Sequence, residues 1–219
     1  MDHLVIGEKS SHYDFDATVK SRKISAPKKK SIKATIPFSN ETYDFSNIDG
    51  EIYWEERTLS YTLEIIACSA EALEEKKTLF CGWVMNVANE ELHDPFIKDY
   101  HFIATFDSID IDTSEIEKAT ITVDFTAYPY MISNRPIEHE ELIDAEEKNV
   151  VVENRSAHRV IPTITADAPF TLKFGDTTFT ANAGTYKSEK IMLAVGENTL
   201  TFITDEEVIV TISFHEEVF

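Results

Sequence analysis

The stretch FTLKFGDTTFTA, residues 170–181, decides the fold class of this chain. Phe170–Phe174 and Thr177–Ala181 are short runs rich in aromatic and β-branched residues, which is the composition of strands. Gly175 and Asp176 stand between them with the chemistry of a turn. The stretch therefore predicts two short strands joined by a turn.

The same pattern extends in both directions from this stretch. The further runs that we interpret as strands are Val150–Glu153, Ile161–Ala166, Tyr186–Leu193, Thr199–Ile203 and Val208–Phe214. Seven short strands separated by turn residues predict a compact antiparallel β-sandwich over residues 150–219. The aromatic residues of this block fall mostly at alternating strand positions, where packing in a core is the better interpretation: Phe170, Phe174, Phe179, Tyr186, Phe202, Phe214 and Phe219.

Residues 134–149 have a different character. After Arg135, Pro136 and Ile137 comes an acidic run from Glu138 to Glu147. A short charged segment with few apolar anchors is typical of a boundary between domains. We therefore predict an acidic linker over 134–149, between an N-terminal domain at 1–133 and the sandwich.

The N-terminal half predicts further strands and one helix. Ser69 is a candidate N-cap, Glu71 would lie in the first turn, and Leu73, Phe80 and Val84 follow a helical spacing, so we expect a helix over 70–89. The strands expected around it lie within 24–58, which is broken by turns, and at 51–66, 100–111 and 119–127. Cys68 and Cys81 are interpreted as two buried, unpaired thiols.

Charge is the strongest bulk feature of the 219 residues, whose formal net charge is −20 with 42% hydrophobic residues. Residues 1–33 are nevertheless basic, which predicts a solvated basic N-terminal arm. The remaining body is acidic enough to repel DNA phosphates, which argues against specific nucleic-acid binding. No apolar run is long enough for a membrane span or a signal peptide, so we expect synthesis and folding in a cytosol.

Signals for chemistry are weak. The sequence contains no GxGxxG, GxxxxGK, GxSxG or HExxH motif. Asp107, Asp110 and Asp112 lie close together, and such carboxylates serve in acid–base catalysis or calcium binding, but chance pairs are expected among 40 acidic residues. His139 in the acidic run has no second histidine within helical reach. We therefore expect no catalytic residue, no cofactor and no metal.

Two residues stand out as candidates for contact with another subunit. Trp54 follows Tyr53 in a strand-like segment, and Arg57 comes three residues later. Tryptophan and arginine are enriched among the residues that contribute most to protein interfaces. Trp54 and Arg57 are therefore the candidate subunit interface, whereas Trp83 is interpreted as a core residue of the helix.

Taken in order, several segments resemble the distal tail proteins of siphophages and related prophages. In the N-terminal half these are Pro27–Lys30 leading to Ile36-Pro37, Tyr43–Ser46, Gly50-Glu51, Trp54–Leu59, the helix near Trp83, Lys98–Phe102 and Val123–Tyr130. In the C-terminal half they are Val152–Asn154 with Ile161–Ile164, and Leu193–Leu200. The sequence departs from the family at Pro37–Asn40 and Arg155–His158, which lack the glycines often found there.

This resemblance implies a mainly β fold: a split-barrel-like N-terminal domain related to tail tube proteins and a C-terminal galectin-like sandwich. It implies a structural, non-enzymatic protein of the virion tail tip, made in the cytoplasm of a bacterial host. Its partners would be further copies of itself in a hexameric ring, the tail tube protein and the tail-associated baseplate protein, with DNA passing through the ring and no membrane involved. The alternatives are a carbohydrate-binding adhesion module of a tail or cell surface, a tail tube protein and, as the weakest, an enzyme.

Overall fold

The computed structural model describes residues 3–35, 38, 40, 42–46, 52–112, 115–144 and 146–219. Two compact units make up the chain: unit 1, Met1–Met131 with Phe219, and unit 2, Ile132–Val218. Ile36-Pro37 and Gly50-Glu51, two of the segments that carry the family resemblance, lie outside the described residues, as do parts of the turns expected at 38–41, 46–50 and 112–115. The fold is mainly β with one helix in the described chain, as the sequence predicted.

Unit 1 contains most of a large antiparallel sheet. Its strands are β1 (Val5–Ile6), β2 (Lys9–Ser10), β3 (Ala17–Ile24), β4 (Lys33–Thr35), β5 (Thr42–Asp44), β6 (Arg57–Ile66), β7 (Glu90–His93), β8 (Tyr100–Asp112) and β9 (Lys118–Ala127). Seven of them follow one another across the sheet in the order β2-β1-β7-β8-β9-β6-β3, and β4 pairs only with β5. The chain then continues into β10 (Met131–Ser133) at the division between the units.

The core of unit 1 forms on one face of this sheet because apolar residues alternate along its central strands. In β6 the side chains of Leu59, Tyr61, Leu63 and Ile65 are completely buried. The matching residues of β9, among them Ile121 and Phe125, are buried in the same way. Period-two alternation places these side chains on one face and the intervening polar side chains on the other.

Helix α1 (Ala70–Val84) covers this core. Ser69 is its N-cap, as predicted, and the Ser69 hydroxyl accepts a hydrogen bond from the Ala72 N–H at 3.2 Å. The helix ends earlier than predicted because the Val87 N–H bonds to the carbonyl of Val84, three residues back, at 3.2 Å. Such bonds tighten the chain at a helix end, and Val87 still packs in the core. No helix in the described chain is long and apolar enough to cross a membrane.

Two predictions for unit 1 are wrong. Residues 1–33 are not a solvated arm, because β1, β2 and β3 belong to the large sheet and Leu4 and Ile6 are buried. A short strand with two buried apolar side chains is anchored by burial whatever the charge of the residues after it. Cys68 is exposed rather than buried; Cys81 is half-buried, and burial raises the pKa of its thiol.

A buried polar network links β3, β6 and the chain after β7. The Asp94 carboxylate accepts hydrogen bonds from the Tyr61 hydroxyl at 2.9 Å and the Phe96 N–H at 2.8 Å, and it forms an ion pair with Arg22. Its side chain has no exposed surface. Burial, followed by the nearby Asp94 carboxylate, raises the pKa of Tyr61 well above its usual range. The network satisfies a charge that would be costly to bury alone.

Unit 2 is a sandwich of two four-stranded antiparallel sheets around its own core. Its eight strands are β11 (Ile137–Ile143), β12 (Glu147–Asn154), β13 (Thr163–Ala166), β14 (Phe170–Phe174), β15 (Thr177–Ala181), β16 (Gly184–Lys187), β17 (Gly196–Ile203) and β18 (Val208–Phe214). A further short strand, β19 (Glu217–Val218), pairs with β10 instead. One sheet has the order β11-β18-β13-β16, and the other β12-β17-β14-β15. This is the predicted galectin-like sandwich.

The acidic segment 134–149 is not a linker, and that prediction is wrong. Ile137–Ile143 pairs with β18 along its whole length, and β12 already begins at Glu147. Because β11 is an edge strand, most of its side chains face solvent, and charged residues on an edge strand discourage pairing with other chains. The two units divide between Met131 and Ile132. Phe219 belongs to unit 1 and not, as predicted, to the core of the sandwich.

Two buried asparagines fix the turns of unit 2. The Asn198 side chain accepts a hydrogen bond from the Ala194 N–H at 2.8 Å and donates to the Ala194 carbonyl at 2.7 Å. The amide of Asn154 donates to the carbonyls of His158 and Leu193 at 3.1 and 3.0 Å. Both side chains thereby replace backbone partners that strands would otherwise supply.

Candidate subunit interface

The segment around β4 and β5 forms a two-stranded hairpin that, among the described residues, pairs with no strand of the large sheet, and we call it the hairpin arm. Its described residues are 28–35, 38, 40, 42–46 and 52–55. Near the sheet, the Lys30 N–H donates to the Tyr53 carbonyl at 2.8 Å; further along, the Phe45 N–H donates to the Ile32 carbonyl at 2.8 Å. β4 pairs with β5 between these points. Neither strand pairs with another strand of the described chain, so both outer edges retain backbone groups for pairing.

The hairpin arm carries large apolar side chains that do not belong to either core. They are Ile32, Phe38, Tyr43, Phe45, Ile52 and Tyr53, each of them exposed. The rings of Tyr43 and Phe45 stack with their centroids 6.3 Å apart. Clusters of exposed apolar residues of this kind mark surfaces that bind another protein.

The basic residues of the N-terminal segment divide between the sheet and the hairpin arm. Lys20 and Arg22 are used within unit 1, in ion pairs with Glu64 and Asp94. Lys28, Lys29, Lys30 and Lys33 are exposed on the hairpin arm, and none of them forms an ion pair with another described residue. The arm therefore combines apolar side chains with positive charge on an otherwise acidic protein.

Trp54 and Arg57, the two interface residues expected from sequence, have different surroundings. Arg57 is buried: its Nε donates to the Ser25 carbonyl at 2.9 Å, its guanidinium donates to the Pro129 carbonyl at 3.2 Å, and burial lowers its pKa. Its hydrogen bonds hold unit 1 together, so it is not exposed for contact with a partner. Trp54 is half-buried at the base of the hairpin arm, where its ring meets the edge of Phe219 at 4.8 Å.

The face of the large sheet opposite the core is polar across four neighbouring strands, and we call it the polar face. It consists of Thr18, Ser21 and Lys23 of β3; Thr58, Ser60, Thr62 and Glu64 of β6; Thr120, Thr122, Asp124 and Thr126 of β9; and Thr105, Ser108, Asp110 and Asp112 of β8. Two of the hydroxyls, of Thr62 and Thr122, are hydrogen-bonded across strands at 3.2 Å. The hydrogen bond from Lys20 lowers the pKa of Glu64.

The sequence carries a signal for this face. Thr120, Thr122, Asp124 and Thr126 recur at every second position of β9, and β6 repeats the pattern. Asp110 and Asp112 were correctly expected on one strand face, and Asp107 lies at a register shift of β8 between Phe106 and Ser108. In the described chain, no three His, Cys, Asp or Glu side chains are arranged to hold a metal ion.

Comparison with known proteins gives a likeness of fold. No family model matches the sequence, and no curated protein matches it. The crystal structure of the Dit protein of phage SPP1, described as a paradigm of the hub adsorption apparatus in phages that infect Gram-positive bacteria, matches with a TM-score of 0.71 and 10% identity over 100% of both chains. Two structures of the activated phage P2 baseplate, with Ca and with Sr, match at 6% identity over 97% and 98% of each chain, with TM-scores of 0.43 and 0.40. The chain thus has the fold of the SPP1 Dit protein from end to end.

Proposed function

We propose that this chain is a structural protein of a phage tail tip, a distal tail protein that forms the hub between the tail tube and the baseplate or receptor-binding apparatus. The observation that carries the proposal is the likeness to the SPP1 Dit hub protein, which extends through both units of the chain. A tail tube protein alone would account for unit 1 but not for the appended sandwich. The proposed location is the virion tail tip.

The hairpin arm supports assembly into a ring. A closed ring forms when one patch of each subunit binds a different patch of the next and the rotation returns to its start. The arm offers unpaired strand edges, exposed aromatic rings and four lysines, while the rest of the chain is strongly acidic. We infer that the arm contacts a neighbouring copy, with Trp54 at its base, and that the ring is a hexamer.

The polar face supports a role as the wall of a DNA channel. It presents short hydroxyl side chains together with Asp110, Asp112 and Asp124, which outnumber Lys23, while Glu64 is paired with Lys20 and Lys118. Several copies of these carboxylates around a channel would repel phosphates, so DNA would pass without binding. We infer that this face lines the ring, and that the tail tube protein and the tail-associated baseplate protein bind the ring's two ends.

Two alternatives to a hub receive less support. An enzyme needs a nucleophile or an acid–base pair in a suitable site, whereas Asp107, Asp110 and Asp112 are exposed to solvent on β8. A lectin that stacks sugars on aromatic rings needs such rings on its surface. Every aromatic ring of unit 2 instead packs in or against its core. We therefore propose a structural protein without enzymatic activity.

The test is the mass of the purified full-length chain by light scattering after size exclusion. We expect a hexamer of the 24.9 kDa chain. Replacing Tyr43 and Phe45 together by serine removes the stacked rings of the hairpin arm and should leave smaller species. The matched control replaces Val151 and Ile209, exposed aliphatic residues of unit 2, and should keep the hexamer. A wild-type monomer at all micromolar concentrations would contradict assembly of the isolated protein.

A further inference from the structure

Gly82 lies on the exposed side of helix α1, where the fold itself does not require a glycine. A Cβ built on it would meet no side chain and no neighbouring segment of the described chain within 4 Å. Glycine also disfavours a helix relative to alanine. The exposed residues at helical spacing along this side are Glu75, Leu79, Gly82 and Asn86. Gly82 therefore leaves space for another chain to approach the helix closely.

A groove of about 390 Å³ opens beside Gly82, between the end of α1 and the segment that joins β1 to β2. Its lining combines apolar, polar and charged residues: Ile6, Glu8, Lys9, Gly82, Trp83, Asn86, Val87 and Glu90. Trp83 is half-buried, and its ring stacks on that of Phe15 with the centroids 4.6 Å apart. Because Ile6 and Val87 are buried whereas the charged residues are exposed, the groove has an apolar floor and a charged rim.

The rim of the groove carries an excess of negative charge. Glu8 and Glu90 are exposed, and neither forms an ion pair with another described residue. Lys9 is the cation of the lining, and its Nζ lies 5.9 Å from the centroid of the Phe15 ring. It likewise forms no ion pair within the part of the chain that the structure describes. Two carboxylates and one ammonium group leave the groove with a net negative charge that favours a cation.

The position of the groove at the end of α1 adds to this negative potential. The C-terminal end of a helix carries a partial negative charge, which a nearby cation stabilises. The last turn of α1 contains no basic residue. Lys76 and Lys77 lie further back in the helix and are paired with Asp16 and Glu74, at 2.7 and 2.6 Å. The end of the helix therefore favours a cation that α1 itself does not supply.

An apolar floor with an acidic rim suits a lysine, which has a long apolar stem and a cationic end. The stem packs along apolar surface while the ammonium group stays with water and carboxylates. Lys28, Lys29 and Lys30 of the hairpin arm follow one another, are exposed and form no ion pair with another described residue. The Lys28 carbonyl accepts from the Glu55 N–H at 2.7 Å, and the Lys30 N–H donates to the Tyr53 carbonyl at 2.8 Å. In such an extended segment, Lys28 and Lys30 project from the same side, about 7 Å apart.

We propose that the groove beside Gly82 binds the lysines of the hairpin arm of a neighbouring copy. The stem of a lysine from residues 28–30 packs on Trp83, and its ammonium group pairs with Glu8 and Glu90. Gly82 allows the arm to lie close to the helix. This contact rests on the assembly proposed above, and it supplies the second of the two different patches that ring closure requires.

Cross-linking of the full-length chain with a carbodiimide tests the contact directly. This reagent joins a lysine amine to a carboxylate that it already contacts, as an amide with loss of water. We expect a covalent dimer on a denaturing gel. Compared with the monomer, it should be enriched in peptides that join a lysine of residues 28–30 to Glu8 or Glu90. A dimer in which these lysines are joined only to other carboxylates, or the absence of a covalent dimer, would overturn the proposal.

Variants of Gly82 separate the groove from the fold of the helix. Gly82→Leu fills the groove and should weaken association at least about tenfold in sedimentation equilibrium. Gly82→Ala is the matched control, because it adds only a Cβ, and it should associate like the wild type. Both variants should melt no lower than the wild type, since both residues favour a helix more than glycine does. Unchanged association of Gly82→Leu would overturn the proposal and leave the groove to a different partner.

Charge variants separate the groove from general attraction between acidic and basic surfaces. Glu90→Gln should weaken association about two- to fivefold, as expected for one exposed ion pair. Glu117→Gln, at an exposed acid of unit 1 outside the groove, should leave it unchanged. Equal losses in the two variants would contradict the assignment. A wild-type hexamer by light scattering that is insensitive to Gly82→Leu would keep the proposed hub and exclude this groove from its interface, whereas a monomer without cross-links would contradict both.

Discussion

Unit 1 and unit 2 use their aromatic residues in different ways. All six phenylalanine and tyrosine rings of unit 2 pack in or against its core, and its exposed large apolar residues are aliphatic. Unit 1 has a comparable core but leaves Tyr43, Phe45 and Tyr53 exposed on the hairpin arm. Folding therefore accounts for the aromatic rings of unit 2, whereas those on the arm contribute little to the fold. Tyr13, Phe96 and Tyr128 are exposed elsewhere in unit 1, but the arm holds several such rings close together in sequence, which is why we propose it as a surface for association.

The largest effect should come from the buried network that distinguishes the core of unit 1. Asp94→Ala leaves the buried Tyr61 hydroxyl and the Phe96 N–H without their charged acceptor, and it leaves the partly exposed Arg22 without its ion pair. We expect the free energy of unfolding of unit 1 to fall by about 3–5 kcal/mol, because each of two hydrogen bonds to a buried charged acceptor contributes about 1.5–3 kcal/mol. Chemical denaturation followed by fluorescence measures it.

Asp99→Ala is the control for this network, because Asp99 is an exposed acid of the same loop. Its replacement should change the unfolding free energy by about 0.5 kcal/mol or less. An equally small change for Asp94→Ala would mean that apolar packing alone stabilises the core of unit 1.

Unit 2 should respond most to the loss of a turn asparagine. Asn198→Ala removes three hydrogen bonds to Ala194 and Gly196 and leaves part-buried backbone groups of this turn without the side chain that pairs with them. We expect a loss of about 1–3 kcal/mol in the stability of unit 2, measured by thermal unfolding. Asn182→Ala in an exposed turn is the matched control, and a similar loss there would indicate a general effect of turn residues.

Sequence predicted the fold best where alternation, turn residues and burial agree. The bounds of β14, β15 and β18 match the predicted runs, because each run alternates and ends at turn residues. β11 was missed since an edge strand rich in glutamate lacks a buried stripe, and only Ile143 in it is buried. The lysines among the first 33 residues favoured the prediction of a solvated arm. The two-residue strand β1 was therefore not predicted, although Leu4 and Ile6 already alternate.

The candidate sites were less predictable than the strands. The burial of Arg57 depends on Ser25 and Pro129, which lie 32 and 72 residues away in the chain, and no local pattern indicates such contacts. Residue type alone therefore identified both Trp54 and Arg57 as interface candidates. Only the three-dimensional contacts show that Arg57 is buried whereas Trp54 is half-buried.

A smaller effect is expected at the start of α1. Ser69→Ala removes the hydroxyl that accepts the Ala72 N–H and should cost about 1 kcal/mol of stability in unit 1. Ser69→Asn keeps a capping oxygen and should restore nearly all of it. Thermal unfolding of both variants measures the difference; equal losses would show that the capping bond contributes nothing.

The smallest effect concerns the lysines of the hairpin arm. Replacing Lys28 and Lys30 by glutamine should weaken association by about 0.2–1 kcal/mol for each residue, because exposed ion pairs are screened. High salt should weaken the wild-type assembly to a similar degree without dissolving it. Sedimentation equilibrium measures both, with Lys190→Gln in unit 2 as the control. Complete dissociation by salt would make charge, rather than the exposed aromatic rings, the main source of affinity.

The side chains of the polar face determine how easily a polymer could slide along it. Serine and threonine have a single χ1 rotation that positions the hydroxyl, and neighbouring strands restrict it further. Long lysine or arginine side chains would have to rearrange, each at its own cost, whenever a polymer shifted by one unit. Apart from Lys23 and Glu64, this face carries short side chains, over which water molecules make that adjustment instead. If this face lines the channel, the energy landscape along it is nearly flat, and a passing strand experiences little friction.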